Sequence, residues 1–204
     1  MHLSGYGAVV ADSITGVYAT FPRVVAIVCC VVLLIMGASF RSVLLAVRGI
    51  VTIGTTIVFV TGLAKLVYCD GMLSFLGSFG AFDETPGMVW CVAPTVFPLL
   101  VGIALDYDIF LVGRIVELHE AGLHTRDSIL LGLASTGTII TAAGSIQALA
   151  FFALMMSPIL VLNQLGFFLF VAVLFDTFVV RGLLVPSIMF WFGDAMLPTI
   201  TRKR

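Results

Sequence analysis

Five long apolar runs occupy most of this sequence, and each is long enough to cross a lipid bilayer. A helix rises about 1.5 Å per residue, so about twenty apolar residues match the thickness of the hydrocarbon core. The sequence therefore predicts an all-α, polytopic membrane helix bundle over residues 21–193. The predicted spans are residues 21–40, 49–68, 90–112, 129–156 and 161–191.

The composition argues against a soluble protein. Hydrophobic residues make up 61% of the 204 residues and charged residues only 10%, too few to cover the surface of a soluble domain. The net charge of −1 gives no indication of nucleic-acid binding. We therefore predict an integral multi-pass protein that is surrounded by membrane lipids.

The segments between the spans are expected to lie outside the membrane. Residues 1–20 are mixed in polarity and are predicted to end an extracytoplasmic segment. Residues 69–87 combine glycines, acids and apolar side chains, which indicates a loop with an interfacial segment. Residues 114–128 are predicted to be a charged loop, in which Thr125 is a suitable N-cap for the next helix. Residues 194–204 are predicted to be a cytosolic tail.

Basic residues in the short connections predict the orientation, because Lys and Arg are enriched on the cytosolic side. One side holds seven of them and the other holds two. These are Arg41, Arg48, Arg114, Arg126, Arg202, Lys203 and Arg204 against Arg23 and Lys65. The N-terminus is therefore predicted to be extracytoplasmic or lumenal and the C-terminus cytosolic, in a plasma membrane rather than an organelle.

Two carboxylates, Asp106 and Asp108, lie within the third predicted span, after the apolar residues 90–105. A carboxylate inside a membrane helix costs roughly 2.5–3.5 kcal/mol, so each needs a partner or a function. On a helix the two acids lie about 200° apart. The face of Asp106 also carries Gly102, Phe110 and Gly113, which predicts that a neighbouring helix approaches closely and shelters this acid from lipid. The structural alternative, a carboxylate that reaches headgroup water or an arginine, applies more readily to Asp108.

Polar residues also occur in the last two spans. In the fourth, Thr141 and Ser145 share a face with two glycines and would form a hydroxyl wall opposite Asp106; ordinary packing, with hydroxyls bonded to their own backbone, is the alternative. In the fifth, Asp176 and Arg181 are about 140° apart on an α-helix. A direct pair is therefore not expected, and each is predicted to be a structural charge that pairs with another helix.

No metal or organic cofactor is predicted. His119 and His124 lie near glutamates, but their spacing fits no usual metal site and no cysteine is close, which favours a solvated face. The sequence also lacks a phosphate-binding glycine loop and the motifs of serine and zinc hydrolases. The chain is accordingly not expected to be an enzyme.

Three stretches of the sequence resemble conserved blocks of the MMPL-type transporters of the resistance–nodulation–division (RND) superfamily. They are residues 102–117, 132–144 and 175–186, and Phe40-Arg41-Ser42 also resembles a short link of that family. The resemblance implies that the chain is the C-terminal transmembrane part of a proton-coupled exporter of lipids or other hydrophobic cargo. It implies that Asp106 and Tyr107 form the proton relay, with Thr141 and Ser145 as its polar neighbours.

Members of this family have two halves of six spans, and the chain resembles the last five spans. The resemblance therefore implies a partner, either the missing N-terminal six-span half or a second copy. Two other functions remain open. One is a non-transporting module that senses sterols or lipids; the other is an intramembrane aspartyl protease, which would use Asp108 with Asp176 as its second acid.

Overall fold

The computed structural model describes residues 6–40, 42–69 and 87–197 as a bundle of helices. The first four spans contain α1 (Tyr6–Phe40), α2 (Val43–Tyr68), α3 (Val92–Glu120) and α4 (Thr125–Met155). The fifth span is continuous but changes its helical type twice. It consists of α5 (Leu160–Leu174), a π-helical segment (Phe175–Leu184) and α6 (Val185–Met196).

Within the described residues, five helices are long and apolar enough to cross a membrane, and no strand is present. The predicted all-α fold with five spans is therefore confirmed. Residues 70–86 and 198–204 lie outside the described residues, and with them most of the predicted interfacial loop and of the predicted cytosolic tail.

The first helix begins much earlier than the sequence predicts. Residues 6–20, which the sequence predicts to be extracytoplasmic, are helical and form the first turns of α1, and their position outside the membrane stays a prediction. Their hydroxyl groups are satisfied inside the helix: Ser13 donates to the carbonyl of Val9, and Thr15 donates to the carbonyl of Ala11. Polar residues of this kind therefore do not mark the start of a helix.

The charged connection between the third and fourth spans is shorter than predicted. Most of residues 114–128 are helical, because α3 continues to Glu120 and α4 begins at Thr125. Gly122 adopts a φ of 97° in the intervening turn, which a side chain would disfavour. The N-cap of α4 is His124 rather than Thr125, and its side chain makes no capping hydrogen bond.

Glycines allow the closest approaches between helices. A side chain at Gly132 of α4 would meet Ile115 of α3, and one at Gly144 would meet Thr177 of the π-helical segment. Gly166 of α5 lies against the backbone of Met155, where α4 ends. These contacts set the spacing of the last three spans, because interiors this tightly packed leave no room for an added carbon.

A cluster of hydrogen bonds, which the sequence does not predict, ties the start of α5 to three neighbouring segments. The hydroxyl of Tyr68 in α2 donates to Oδ1 of Asn163 at 2.6 Å, and Nδ2 of Asn163 donates to the carbonyl of Met155 at 2.5 Å. Oε1 of Gln164 accepts from the backbone N–H of Val89 at 2.8 Å. Both amide side chains are buried, so this cluster holds the ends of the spans together.

The contact at Gly166 predicts a position that is sensitive to a single methyl group. Gly166→Ala should lower stability by about 1–3 kcal/mol, because its Cβ would collide with backbone atoms that cannot move aside. Gly137→Ala in α4 is the matched control, since nothing lies within 4 Å of its Cβ position. Thermal unfolding of both variants in detergent measures the difference. Equal melting temperatures would contradict this account of the helix packing.

Candidate functional site

The two carboxylates of α3 lie in opposite environments. Asp106 is the middle residue of this helix and is exposed, as is Gly102 one turn before it, whereas Asp108 is only 6% exposed. The predicted shelter for Asp106 is therefore wrong within the described part of this chain. Side chains two positions apart on a helix point in nearly opposite directions. The bundle buries the side of α3 that carries Asp108.

Asp108 forms a buried ion pair with Arg48 of α2. Nη2 of Arg48 lies 2.7 Å from Oδ2 of the carboxylate, and the two side chains are 1% and 9% exposed. Gly49 lies beside the pair, and a Cβ at this position would be 3.4 Å from Oδ2 of Asp108, in ordinary van der Waals contact. The count of basic residues placed Arg48 in a connection between spans. It lies instead inside a helix, where its charge serves packing rather than topology.

Asp176 and Arg181 form a second buried ion pair, which corrects the expectation that they cannot reach each other. That expectation assumed an α-helix, in which positions five apart diverge. The backbone here is π-helical, so its hydrogen bonds join residues five apart and bring the two side chains to the same side. The pair lies within one segment and not between two helices.

Arg181 also connects the fifth span to α3. Its Nη2 donates to the carbonyl oxygen of Ala104 at 3.0 Å, and its guanidinium carbon lies 4.6 Å from the centre of the Tyr107 ring. That distance allows a cation–π interaction, in which the ring face stabilises the positive charge. The hydroxyl of Tyr107 donates to Oε1 of Gln147 in α4 at 2.9 Å. Tyr107 is thereby held by two further elements of the bundle.

The predicted hydroxyl wall does not face inward. Thr141 and Ser145 are both exposed, and the hydroxyl of Ser145 donates to the carbonyl of Thr141 at 2.8 Å. This agrees with the alternative in which hydroxyls bond their own backbone. Gly144 lies on the buried side of α4 instead, against Thr177, whose buried hydroxyl has no hydrogen-bond partner among the described residues.

Sequence reasoning missed two residues of this site, Arg48 and Gln147. Arg48 directly precedes the predicted second span, and an arginine at that position is typical of a loop outside the membrane. The sequence does carry a signal for Gln147, because a glutamine within a membrane span needs a polar partner. The spacing of the hydroxyls of Thr141 and Ser145, however, favours a different face of α4.

The charged connection between α3 and α4 is held by local contacts. Nδ1 of His119 lies 3.2 Å from the carbonyl oxygen of Leu123, and Arg114 forms an exposed ion pair with Glu117 at 2.7 Å. The described residues contain no group of three metal-ligating side chains. This region closes the turn between α3 and α4.

Apolar cavities lie between α1, α2 and α3. The larger has a volume of about 350 Å³ and the smaller about 180 Å³. Both are lined by Val25, Ile57 and Phe97, so they lie side by side along the same helices. Their walls are almost wholly apolar, which suits hydrocarbon chains rather than polar molecules.

The buried pair between α2 and α3 predicts a large effect from a nearly isosteric change. Asp108→Asn should lower stability by about 3–5 kcal/mol, because it leaves the Arg48 guanidinium buried without its counter-charge. The double change Arg48→Met with Asp108→Leu should recover most of this loss, since it removes both charges. Unfolding in detergent measures both variants.

Arg114→Gln is the control for the buried pair. It breaks an ion pair that is exposed to solvent, which is worth about 0–1 kcal/mol. A loss in Asp108→Asn no larger than in this control would show that the buried pair does not hold α2 against α3.

Comparison with known proteins agrees with this architecture. The chain is 34% identical over 192 residues to the trehalose monomycolate exporter MmpL3 of Mycobacterium tuberculosis, covering 94% of this chain and 20% of that protein. It is 37% identical over 175 residues to the putative membrane protein ActII-3 of Streptomyces coelicolor, covering 86% and 22%. It is 30% identical over 192 residues to the mycolic acid-containing lipids exporter MmpL11 of Mycolicibacterium smegmatis, covering 94% and 20%.

The chain thus spans about a fifth of the length of these relatives. Residues 1–204 match the MMPL family, in agreement with the resemblance of the three sequence blocks. The five apolar spans and this match over the whole chain together identify the protein as a multi-pass integral membrane protein of the MMPL family.

Proposed function

We propose that this chain is the C-terminal half-bundle of a proton-coupled MMPL exporter of lipids or other hydrophobic cargo, with Asp106 and Tyr107 as its proton relay. One observation carries the proposal. An exposed acid occupies the middle of a membrane-spanning helix, and the adjacent tyrosine belongs to a buried network of charged and polar groups. A carboxylate at that depth is costly and marks a proton or ion pathway more often than a packing site.

Asp106 differs from the other two acids of the membrane interior in having no arginine partner in the described residues. Asp108 and Asp176 are each neutralised by a buried arginine, so protonating either would leave a positive charge unpaired. A proton on Asp106 would leave no arginine of the described residues without its counter-charge. A change in its charge can then shift the balance between two conformations of the exporter.

The exposed position of Asp106 supports a partner for this chain. A carboxylate facing lipid costs roughly 2.5–3.5 kcal/mol, which a covering polar surface would remove. The six-span N-terminal half of the exporter, or a second copy of these five spans, would supply that cover. The match covers only about a fifth of MmpL3 and of MmpL11, which supports the N-terminal half as the partner.

Lipid cargo is supported by the relatives and by the cavities. MmpL3 and MmpL11 are described as exporters of trehalose monomycolate and of mycolic acid-containing lipids. The two apolar cavities between α1, α2 and α3 offer volumes of about 350 and 180 Å³, suited to acyl chains. A lipid sensor would use the same cavities, but the similarity of this chain to these exporters favours a transport function.

The geometry does not favour a protease. Intramembrane aspartyl proteases need two carboxylates that share a proton at one site. Asp108 and Asp176 instead bind separate arginines, on α2 and on the π-helical segment. We therefore propose a transporter without enzymatic activity.

The orientation with the C-terminus in the cytosol remains our proposal, and it predicts a labelling pattern. If Arg48 is left out because it is buried in its ion pair with Asp108, the basic residues number six against two, so the asymmetry persists. A reporter fused after Arg204 should be active only in the cytosol, and a single cysteine introduced at Ser78 should react with a reagent that cannot cross the membrane. If the reporter after Arg204 and the cysteine at position 78 were found on the same side of the membrane, the predicted topology would be wrong.

The relay predicts a specific loss in Asp106→Asn. The amide is neutral, like the protonated acid, so folding should be unchanged, while proton uptake should fall at least about tenfold because the site can no longer titrate. The measurement uses proteoliposomes loaded with a pH-sensitive dye, holding this chain together with the other spans of the exporter. Asp12→Asn in α1 is the control, since that acid is also exposed on a helix.

Expression and proton uptake are compared side by side in these variants. If Asp106 were only a structural counter-ion, the asparagine variant would express poorly, and the protein that inserted would still move protons. Normal proton uptake by Asp106→Asn at normal expression would refute the relay.

A further inference from the structure

The side chain of Tyr107 is held at two points by two different elements. The π-helical segment places the guanidinium of Arg181 over one face of the ring, 4.6 Å from its centre. Helix α4 places Oε1 of Gln147 2.9 Å from the hydroxyl oxygen. The first contact fixes the plane of the ring, whereas only the second involves the group that can carry a proton.

The hydrogen bond to Gln147 decides the direction of the hydroxyl proton. A tyrosine hydroxyl has one proton to donate and two lone pairs that accept, and its proton can rotate about the C–O bond. With the proton directed at Oε1 of Gln147, the lone pairs are left to accept from another donor. The amide of Gln147 does not titrate near neutral pH, so it can orient the hydroxyl without taking the proton.

We propose that Gln147 is a positioning residue for the proton relay, and that it acts by orienting the Tyr107 hydroxyl so that its oxygen can accept a hydrogen bond from the protonated carboxyl of its neighbour Asp106, while the tyrosine keeps its own proton. This inference rests on the proposed function, in which Asp106 and Tyr107 form the relay. It assigns the contribution of α4 to the relay to an amide rather than to the hydroxyls of Thr141 and Ser145.

The surroundings of α4 support this assignment. Thr141 and Ser145 are exposed, and the Ser145 hydroxyl already bonds the backbone of its own helix. Gln147 is half-buried, and its bond to α3 crosses between helices. Close packing between α3 and α4 is provided elsewhere, at the contact of Gly132 with Ile115. The bond from Gln147 is therefore not required to bring the two helices together.

The first test compares proton uptake by three variants in proteoliposomes that hold this chain with the other spans of the exporter. Gln147→Leu removes the acceptor at similar volume and should lower uptake about tenfold, since a misdirected group loses most of its contribution. Gln147→Asn keeps an amide that does not titrate but shortens its reach, and it should lower uptake less than Gln147→Leu does. Ser145→Ala on the same helix is the control and should leave uptake unchanged.

A second readout follows the Tyr107 hydroxyl directly and does not depend on transport. The chain contains four tyrosines, so fluorotyrosine labelling gives few ¹⁹F NMR signals, and the signal of Tyr107 is the one lost in Tyr107→Phe. Gln147→Leu should move this signal, whereas Ser145→Ala should not. In a Tyr107→Phe background Gln147→Leu should have no further effect on uptake, because it acts through the missing hydroxyl.

The outcomes separate the two proposals. Full proton uptake by Tyr107→Phe would refute the proposed relay, and with it any relay role for Gln147. If Tyr107→Phe stops uptake but Gln147→Leu changes neither uptake nor the ¹⁹F signal, the relay stands and the positioning role is wrong. If uptake by Gln147→Leu falls only in proportion to the amount of folded protein, Gln147 is a packing residue and the inference is also wrong.

Discussion

Arg181 is the residue on which the interior of this bundle depends, because its buried guanidinium joins three groups. It pairs with Asp176 in its own segment, donates to the carbonyl of Ala104 at 3.0 Å, and lies over the ring of Tyr107. An arginine at membrane depth is tolerated only where its charge and some of its donors are satisfied. The π-helical backbone meets that condition, since it brings the acid five positions earlier to the same side. The change of helical type therefore allows one arginine to fix the fifth span against α3.

A single stretch of α3 is consequently held from three directions. The carbonyl of Ala104 binds the fifth span, Tyr107 binds Gln147 of α4, and Asp108 binds Arg48 of α2. A helix held at successive positions by three neighbours cannot rotate about its axis without breaking at least one buried polar contact, and each such break costs about 1–3 kcal/mol or more. The outward direction of Asp106 therefore follows from contacts made by the residues around it and not from any contact of its own.

The sequence was sufficient to predict the number of spans and the fold class, because the length of an apolar run relates directly to the thickness of the bilayer. It did not predict the ends of α1 and α3, since polar residues near those ends are satisfied within the helices. The pairing of Asp176 with Arg181 could not be predicted because angular arguments assume 3.6 residues per turn, which the π-helical segment does not obey. The roles of Arg48 and Gln147 could not be predicted, because the residue that each one binds lies at least 40 positions away in the sequence.

The arrangement of α3 separates an acid that is bound to an arginine from one that has no arginine partner among the described residues. Asp108 is bound to Arg48, so its charge is needed for the packing of α2 and α3. Asp106, two residues earlier, forms no such ion pair within the described bundle. In the proposed mechanism a proton on Asp106 therefore changes the charge of an outward surface and leaves the core contacts intact. The conformational response to that proton would then arise where α3 meets the rest of the exporter, since a ligand or proton shifts an equilibrium only through contacts that differ between the two states.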